Sequence, residues 1–259
     1  MKTLTFGVRD GVGTLRLNRP ERHNAISLQM TDELLQVRDE VARHPLRALV
    51  VTGAGGTFCS GLDLTEVGEM FAHLAATPDG GSDPIAAGIT RMQGIARWLD
   101  DVPFPTIAAV DGAAIGGGFE LAMSCDLRIV TPSARLGLSE IRLGLVPDLG
   151  GSQRLPRLVS LGRAKELLFT GEFFDGVEAH RIGWANRLAE PAELDSVSAA
   201  LAERLAGFSP VALSELKALA NGAFDVPLDE GLRREARAMS RCAGSAEFRA
   251  AMPQAGHRK

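Results

Sequence analysis

Residues 106–151 read TIAAVDGAAIGGGFELAMSCDLRIVTPSARLGLSEIRLGLVPDLGG, and this stretch decides the fold. It opens with a short apolar, β-rich run, Thr106–Val110, which predicts a buried strand. The glycines Gly116–Gly118 then turn the chain into Phe119–Cys125, which has no helix breaker and predicts the first turns of a helix. Glycine lets a backbone approach a ligand closely, and the N–H groups that open a helix have no partner within it. Such a turn suits a developing oxyanion.

Three carboxyl groups stand among the apolar residues and glycines of this stretch: Glu120, Glu140 and Asp148. Glu120 falls just inside the predicted helix, where burial would raise its pKa and the helix dipole would lower it. The sequence leaves that balance open. Carboxyl groups with different pKa values are what general acid and base chemistry needs, so these three are the candidate catalytic residues.

A second unit of the same kind precedes this stretch. Ala48–Thr52 predicts a buried strand that runs into GAGGTFCSGLDL, residues 53–64, another glycine-rich turn. Two strand–turn–helix units predict an α/β layer fold with its site at the strand ends. Between the units, residues 77–88 (TPDGGSDPIAAG) are rich in helix breakers and predict a long loop over the substrate, and Ile89–Leu99 predicts a helix.

The two ends of the chain give local signals. Leu4–Arg9 and Gly13–Leu17 alternate apolar and polar residues around Asp10-Gly11, which predicts a β-hairpin. Ser27 is expected to cap a helix with an apolar face. That face carries Met30, Leu34, Val37 and Val41. From residue 160 onward the pattern is mostly helical, with one helix beginning at Pro210 and a last one over Asp229–Met239.

Length and composition restrict the function classes. The chain has 259 residues, 45% of them hydrophobic, which is enough to bury a substantial core. A formal net charge of −4 gives no general attraction to nucleic acid or to anionic membranes. Three widely spaced cysteines indicate neither a disulfide framework nor a zinc site. With no apolar run of the length that a membrane span needs, we expect a soluble, cytoplasmic protein with no nucleic-acid partner and no membrane span.

Other kinds of site find little support in the sequence. Residues 58–61, FCSG, do not form a nucleophile elbow because Phe58 stands at the first glycine position, so Cys59 and Ser60 are interpreted as packing and turn residues. The histidines show no paired metal-ligand spacing, and His73 is expected at the surface. Residues 53–58, GAGGTF, match neither common nucleotide-binding fingerprint, so no metal or nucleotide cofactor is expected.

Several motifs in order make the chain resemble the enoyl-CoA hydratase/isomerase, or crotonase, superfamily over nearly its whole length. They are RPERHNAIS, ALVVTGAGGTFCSGLDL, AAVDGAAIGGGFELAMSCDLRI and LSEIRLGLVPDLGGSQRLPRLVSLG. The resemblance implies an α/β fold, a crotonase-like spiral of ββα units with a C-terminal helical extension. Residues 1–195 would form the acyl-CoA-binding catalytic core. Residues 196–259 would form a helical region for assembly as a homotrimer or dimer of trimers.

The resemblance also implies roles for residues of both turns. The family binds an acyl-CoA thioester, whose coenzyme A belongs to the substrate, and needs no further cofactor and no metal. The backbone N–H groups of Leu62 and Gly117 match the oxyanion hole. The implied substrate-binding residues are Arg22, Ala25, Ser60, Gly61, Asp63 and Gly116. Arg22 and Ala25 fall in the segment that lines the coenzyme A channel, where His23 replaces a common basic residue.

The three carboxyl groups resemble those of two different kinds of enzyme in the family, hydratases and isomerases. Glu120 and Glu140 match the pair that holds a water in the hydratases, which convert trans-2-enoyl-CoA to 3-hydroxyacyl-CoA through a thioester enolate. Asp148 stands where those hydratases usually have a small residue, and it resembles the aspartate of dienoyl-CoA and some enoyl-CoA isomerases. An isomerase using Asp148 and Glu140 is the alternative. A non-catalytic scaffold binding CoA esters or RNA is a more remote one.

Simpler readings stand beside these roles. Glu120 can be a solvated or capping acid, Glu140 can pair with Arg142, and Asp148 can cap a turn or pair with Arg154. Gly116–Gly118 can serve strand–helix packing, although three successive glycines favour close approach of a ligand. The sequence leaves open the acyl chain length and branching, the pathway, and which glutamate is acid and which is base.

Overall fold

The computed structural model describes residues 1–66, 68 and 84–252. His73, residues 77–83 of the predicted loop and the last residues, 253–259, lie outside the described ranges. Across those ranges, no helix combines the length and the apolar character that crossing a bilayer requires.

A six-stranded sheet forms the centre of the fold, and a two-stranded sheet lies beside it. In chain order the strands are β1 Leu4–Arg9, β2 Val12–Leu17, β3 Ala48–Gly53, β4 Thr106–Val110, β5 Ala113–Ile115, β6 Leu127–Val130, β7 Arg135–Gly137 and β8 Arg187–Leu188. The large sheet has the order β1-β2-β3-β4-β6-β8, and every pair in it except β1–β2 is parallel. Strands β5 and β7 form the small parallel sheet. The predicted α/β class is confirmed.

Helices follow the strands and dominate the second half of the chain. Those with fully described bounds are α1 Leu28–Val41, α2 Pro84–Asp101, α3 Gly117–Met123, α4 Gly151–Leu158, α5 Leu161–Thr170, α6 Gly176–Arg181, α7 Leu194–Ala206, α8 Pro210–Asn221, α9 Leu228–Ala243 and α10 Ala246–Ala251. Two 3-10 turns, Pro20–Arg22 and Glu140–Leu143, lie in the loops.

The local predictions at the N-terminus are confirmed. Strands β1 and β2 form the hairpin, and the φ angles of Asp10 (51°) and Gly11 (77°) are the left-handed values that a tight two-residue turn needs. The Ser27 hydroxyl oxygen accepts the Met30 N–H at 3.0 Å and caps α1. The predicted apolar face of α1 is buried.

Four boundaries differ from the sequence predictions. Residues 84–88 belong to α2, not to a loop, because Pro84 occupies the first turn of a helix, where its missing N–H costs little. Helix α3 begins at Gly117, two residues early, since Gly116 already makes the turn with φ 52°. Strand β5 separates β4 from the glycine triplet. The helix predicted as the last is followed by α10.

The large sheet is covered on both faces. One face packs against α1, α2 and α3 in the main core, and the other packs against α7. On the second face, Leu201 and Ala202 of α7 belong to one buried apolar cluster with Ile107 and Ile129 of the sheet. The predicted division at residue 195 falls inside α7, and it stays a prediction.

Candidate active site

Two glycine turns meet because residue 59 extends the small sheet. The Cys59 N–H donates to the Ala113 carbonyl at 2.8 Å, and the Ile115 N–H donates to the Cys59 carbonyl at 3.0 Å. The turn at residues 60–62 follows residue 59, and the turn at Gly116–Gly118 follows β5. Because residue 59 pairs with β5, the two turns lie side by side. The sequence prediction that the two turns form one site at strand ends is consistent with this arrangement, although β5 rather than β4 delivers the second turn.

Glycine is needed where the turns touch. A Cβ atom on Gly118 would lie 2.2 Å from the Cys59 carbonyl oxygen, so packing alone excludes a side chain there. Gly61 has φ 102°, and a Cβ on it would lie 2.9 Å from the Ile115 carbonyl oxygen. Gly118 therefore serves the packing of turn against turn, and the approach of a ligand to the triplet stays a prediction.

The backbone around Leu62 is held on both sides by one residue. The Ile26 N–H donates to the Gly61 carbonyl at 2.8 Å, and the Ile26 carbonyl accepts the Asp63 N–H at 2.9 Å. This bridge does not use the Leu62 N–H. Among the described residues, neither the Leu62 N–H nor the Gly117 N–H has a hydrogen-bond acceptor. Two unpaired N–H groups on adjacent turns are the donors that an oxyanion hole requires.

Asn24 supports the first turn, and the sequence reasoning missed it. Its side-chain N–H groups donate to the carbonyls of Ala54 (2.9 Å) and Thr57 (2.6 Å), and its side-chain oxygen accepts the Arg19 N–H at 2.8 Å. Asn24 is fully buried and has φ 55°. Asparagine tolerates left-handed backbone better than most residues, so its place in RPERHNAIS was the available signal.

Ser60, Gly61 and Asp63 of the predicted substrate-binding residues lie in this turn, and Gly116 lies in the second turn. Asp63 pairs with Arg19 at 3.1 Å, and both side chains are mostly buried. Arg19 also donates to the Ala25 carbonyl at 2.7 Å. The Ser60 N–H donates to the carbonyl of residue 23 at 3.0 Å, and the Arg22 side chain is exposed. Their roles in binding substrate stay predictions.

Glu120 lies on α3, directly after the second glycine turn, and it is fully buried. Its Oε1 atom accepts the N–H groups of Leu149 (2.9 Å) and Gly151 (2.6 Å). Its Oε2 atom is buried without a partner in the described part of the chain. Burial raises the pKa of Glu120 to about 8, while the Gly151 hydrogen bond opposes that rise and Glu140 adds to it. Desolvation therefore outweighs the two N–H hydrogen bonds that favour the charged form of Glu120.

Glu140 and Asp148 lie beside Glu120. Burial raises the pKa of both carboxyl groups, and the negative charge of Asp148 adds to the rise at Glu140. A Cβ on Gly116 would lie 3.0 Å from the Oε1 atom of Glu140, so this glutamate faces the second turn. Its Oε2 atom, like that of Glu120, is buried with no partner within the described ranges. The structure thus brings all three predicted acids and both predicted donors together.

The ion-pair interpretations of Glu140 and Asp148 and the solvated interpretation of Glu120 are not supported, whereas Glu120 does bind the N–H of Gly151, the first residue of α4. Arg142 lies over the ring of Phe173 at 5.1 Å, and Arg154 pairs with Asp100 at 2.5 Å. Across the described residues, neither Glu140 nor Asp148 forms an ion pair. Glu120 is buried rather than solvated.

The thiol beside the first turn is a packing group. Cys59 is fully buried, and burial raises its pKa to about 12. A thiol that stays protonated is a poor nucleophile, so its interpretation as a packing residue is confirmed.

Comparison with known proteins identifies the family. A sequence profile of the family described as Enoyl-CoA hydratase/isomerase matches residues 7–257. The chain belongs to this family. Its fold is the crotonase fold, a spiral of ββα units. Its relatives include the short-chain-enoyl-CoA hydratase of Clostridium acetobutylicum, which is 36% identical over 93% of this chain and 89% of the relative.

Solved structures of crotonase-fold proteins agree closely with this chain. An enoyl-CoA hydratase/isomerase from Cupriavidus metallidurans has a TM-score of 0.89 at 34% identity, covering 97% of this chain and 92% of that one. A Thermobifida fusca protein in complex with acetoacetyl-CoA has a TM-score of 0.82 at 37% identity, covering 94% and 96% of the two chains. An acyl-CoA ligand is therefore compatible with this fold.

Proposed function

We propose that this family member is an enoyl-CoA hydratase that adds water to a trans-2-enoyl-CoA and releases a 3-hydroxyacyl-CoA. One observation carries the proposal: among the described residues, Glu120 and Glu140 each have a buried, unpartnered Oε2 atom, and both lie beside the turns that carry two unpaired N–H groups. Relatives named as hydratases support it. The reaction needs no metal and no cofactor beyond the coenzyme A of the substrate.

The two N–H groups act on the thioester carbonyl. Addition at C3 of the enoyl group moves negative charge onto the thioester oxygen and gives an enolate. Leu62 and Gly117 donate to that oxygen, and they stabilise the enolate more than the neutral substrate. Loss of one such donor costs about 10²–10³ in kcat.

The two glutamates divide the proton transfers. One carboxylate takes a proton from the water that attacks C3, and the other carboxyl, protonated, delivers a proton to C2. A pKa of about 8 for Glu120 means that it is mostly protonated at neutral pH, so the pair holds at least one proton to give. After the addition, the first carboxyl holds the proton taken from water and the second has lost its own. Transfer of one proton from the first to the second restores both groups, so the water supplies the hydroxyl and, overall, the proton.

Asp148 supports the second candidate, a dienoyl-CoA or enoyl-CoA isomerase. Burial raises the pKa of Asp148, and its negative charge raises that of Glu140, so a third carboxyl group able to exchange protons lies at the same site. An isomerase moves a proton along the acyl chain and incorporates no water. Asp148 would then take or give that proton together with Glu140.

The deciding experiment compares two substrates in water labelled with heavy oxygen. A short 2-enoyl-CoA and a 3,5-dienoyl-CoA are incubated with the enzyme in parallel. Mass spectrometry measures the incorporation of water, and ultraviolet absorption of the conjugated 2,4-dienoyl product measures isomerisation, because the isomers have equal mass. The hydratase proposal expects one labelled water on the enoyl product. Conversion of the dienoyl substrate without mass gain, with the enoyl substrate untouched, would replace it by the isomerase. Turnover of neither would contradict both.

Assembly as a homotrimer or dimer of trimers belongs to the same proposal. Helix α8 buries none of its residues and α9 buries only Ala238. Phe224 and Leu228, which lie between these helices and at the start of α9, are 78% and 77% exposed. A second copy would cover these apolar groups. A cytoplasmic location is part of the proposal too, and the unbridged cysteines are compatible with it.

A further inference from the structure

The Glu120 carboxyl is bound by backbone N–H groups of a loop, residues 148–151, and other residues fix the orientation of that loop. The two N–H groups that bind its Oε1 atom belong to Leu149 and Gly151, at the start of α4. Three successive peptide groups connect residues 148 to 151, and each is fixed at its carbonyl. The Asp148 carbonyl accepts from the Gln93 side chain at 2.9 Å, and the Leu149 carbonyl accepts from Nη1 of Arg154 at 2.7 Å.

The third carbonyl belongs to Gly150, and Arg154 covers this residue. The Gly150 carbonyl accepts the backbone N–H of Arg154 at 2.8 Å in the first turn of α4. A Cβ on Gly150 would lie 2.0 Å from Nη1 of Arg154, so the guanidinium occupies the space directly above the loop. Gly150 has φ 108°, which also excludes a side chain. The Arg154 side chain therefore holds the middle peptide, while the third peptide is held by backbone N–H groups in the first turn of α4.

Helix α2 fixes that arginine and the remaining peptide. Nη2 of Arg154 binds Oδ2 of Asp100 at 2.5 Å, and the arginine side chain is only 21% exposed. Gln93 and Asp100 are seven residues apart, which puts them on one face of α2 two turns apart. The two contacts of α2 thus bracket the loop that binds Glu120.

We propose that Arg154, oriented by Asp100 and assisted by Gln93, is a positioning residue for Glu120. Its guanidinium fixes the peptide between Leu149 and Gly150, and the Leu149 and Gly151 N–H groups belong to the peptides on either side of that one. Holding this middle peptide aims both N–H groups at one carboxyl oxygen. The other oxygen then stays free to face the site. Arg154 itself lies behind the loop and touches no reacting atom. The role of Arg154 rests on the proposed function in one respect only, namely that Glu120 transfers a proton.

The titration of Glu120 reports on this arrangement. The two N–H bonds favour its charged form, whereas burial and the facing carboxylates Glu140 and Asp148 oppose that form. Behind the loop stand the cation of Arg154 and its partner Asp100, with Lys217 beside Asp100. If the two N–H groups no longer point at the carboxyl oxygen, the midpoint of the Glu120 titration rises. A weakened hydrogen bond corresponds to a rise of about half a pH unit to one unit.

Arg154→Lys is the decisive variant because it keeps the positive charge and loses the planar fork that binds Leu149 and Asp100 together. Infrared titration of the full-length protein follows the protonated carboxyl band that Glu120→Gln removes. We expect Arg154→Lys to shift this midpoint upward by about half a unit or more. Arg157→Lys, on the same helix but paired with Asp225, is the matched control and should leave the midpoint unchanged.

An unmoved midpoint in Arg154→Lys would overturn the proposal. If that variant does not fold, Gln93→Ala decides instead, since Gln93 is exposed and uncharged and its loss frees only the Asp148 carbonyl. The infrared readout needs no turnover, so a wild-type protein inactive on enoyl-CoA would refute the proposed function and leave this test valid. Where hydration is observed, the pH profile of kcat should move in the same direction as the midpoint.

Discussion

Burial is the main reason that the three acids of the site have raised pKa values. Glu120, Glu140 and Asp148 were predictable because acids among glycines and apolar residues are unusual, and the structure brings them together. Asn24 and Arg154 were not, because each acts through hydrogen bonds to backbone carbonyls that only the folded chain brings near. No periodicity marks such contacts, so the sequence predicts the reactive groups better than the groups that hold them.

Glu140→Gln tests the acid–base role directly. The amide keeps the shape of the side chain and cannot transfer the proton, so kcat on a short 2-enoyl-CoA should fall by about 10²–10⁴. Binding of the CoA ester, measured by calorimetry, should be retained. Glu203→Gln, an exposed change on α7, is the control. Unchanged turnover in purified Glu140→Gln would contradict the catalytic assignment.

Glu120→Gln should change how stability depends on pH. The unfolded chain releases this proton near pH 4.5, but the folded protein keeps it to about pH 8 because burial raises the pKa. Between these values the folded state binds more protons, so wild-type stability falls as pH rises. Glutamine stays neutral, and its amide oxygen can still accept the two N–H bonds. The variant should therefore gain about 2–4 kcal/mol over wild type between pH 5 and pH 9.

Urea unfolding at both pH values measures this difference. Glu235→Gln, an exposed glutamate on α9, should follow wild type at every pH. If Glu120→Gln shows the same pH dependence as that control, Glu120 is not the buried acid that the structure describes.

Among the elements, those with local causes were predictable. The β1–β2 hairpin and the capped helix α1 follow from neighbouring residues, and both are confirmed. Strand β5 was missed because it has three residues and pairs with β7, more than twenty positions later. It nevertheless delivers the second glycine turn. The element that matters most for the site is thus the one with the weakest local signal.

Helix α8 is attached to the core through Lys217, whose side chain is only 7% exposed. Nζ of Lys217 donates to the carbonyls of Leu99 (2.7 Å) and Phe104 (3.1 Å) and to Oδ2 of Asp126 (2.8 Å). Lys217→Met removes this charge and leaves Asp126 without its cation, so the free energy of unfolding should drop by about 3 kcal/mol. Lys165→Met, exposed on α5, should change it little. Equal urea midpoints for the two variants would show that Lys217 does not hold α8.

The whole molecule presents two kinds of surface. The large sheet is covered on both faces, whereas α8 and α9 leave apolar side chains uncovered. The resemblance of the sequence to a known family implied the spiral fold, and the comparisons confirm it. Composition and spacing alone reach only the α/β class, since the order of strands in a sheet depends on contacts far apart in sequence.

Light scattering at micromolar concentration tests the assembly. We expect the mass of a trimer or of a dimer of trimers, and a lower mass for Phe224→Glu combined with Leu228→Glu, because charge on this apolar surface opposes its burial. Val8→Glu, on the edge strand β1, should retain the wild-type mass. A monomer mass for the wild-type chain would refute the assembly.

The meeting of the two glycine turns through Cys59 and β5 affects how activity is lost on heating. Only a few hydrogen bonds join these segments, among them those of Cys59 with Ala113 and Ile115. A local opening there separates Leu62 from Gly117 while the large sheet stays intact. Inactivation should then precede the loss of circular dichroism, and amide hydrogen exchange at Cys59 should be faster than in β3. The catalytic centre would be a weaker cooperative unit than the scaffold that carries it.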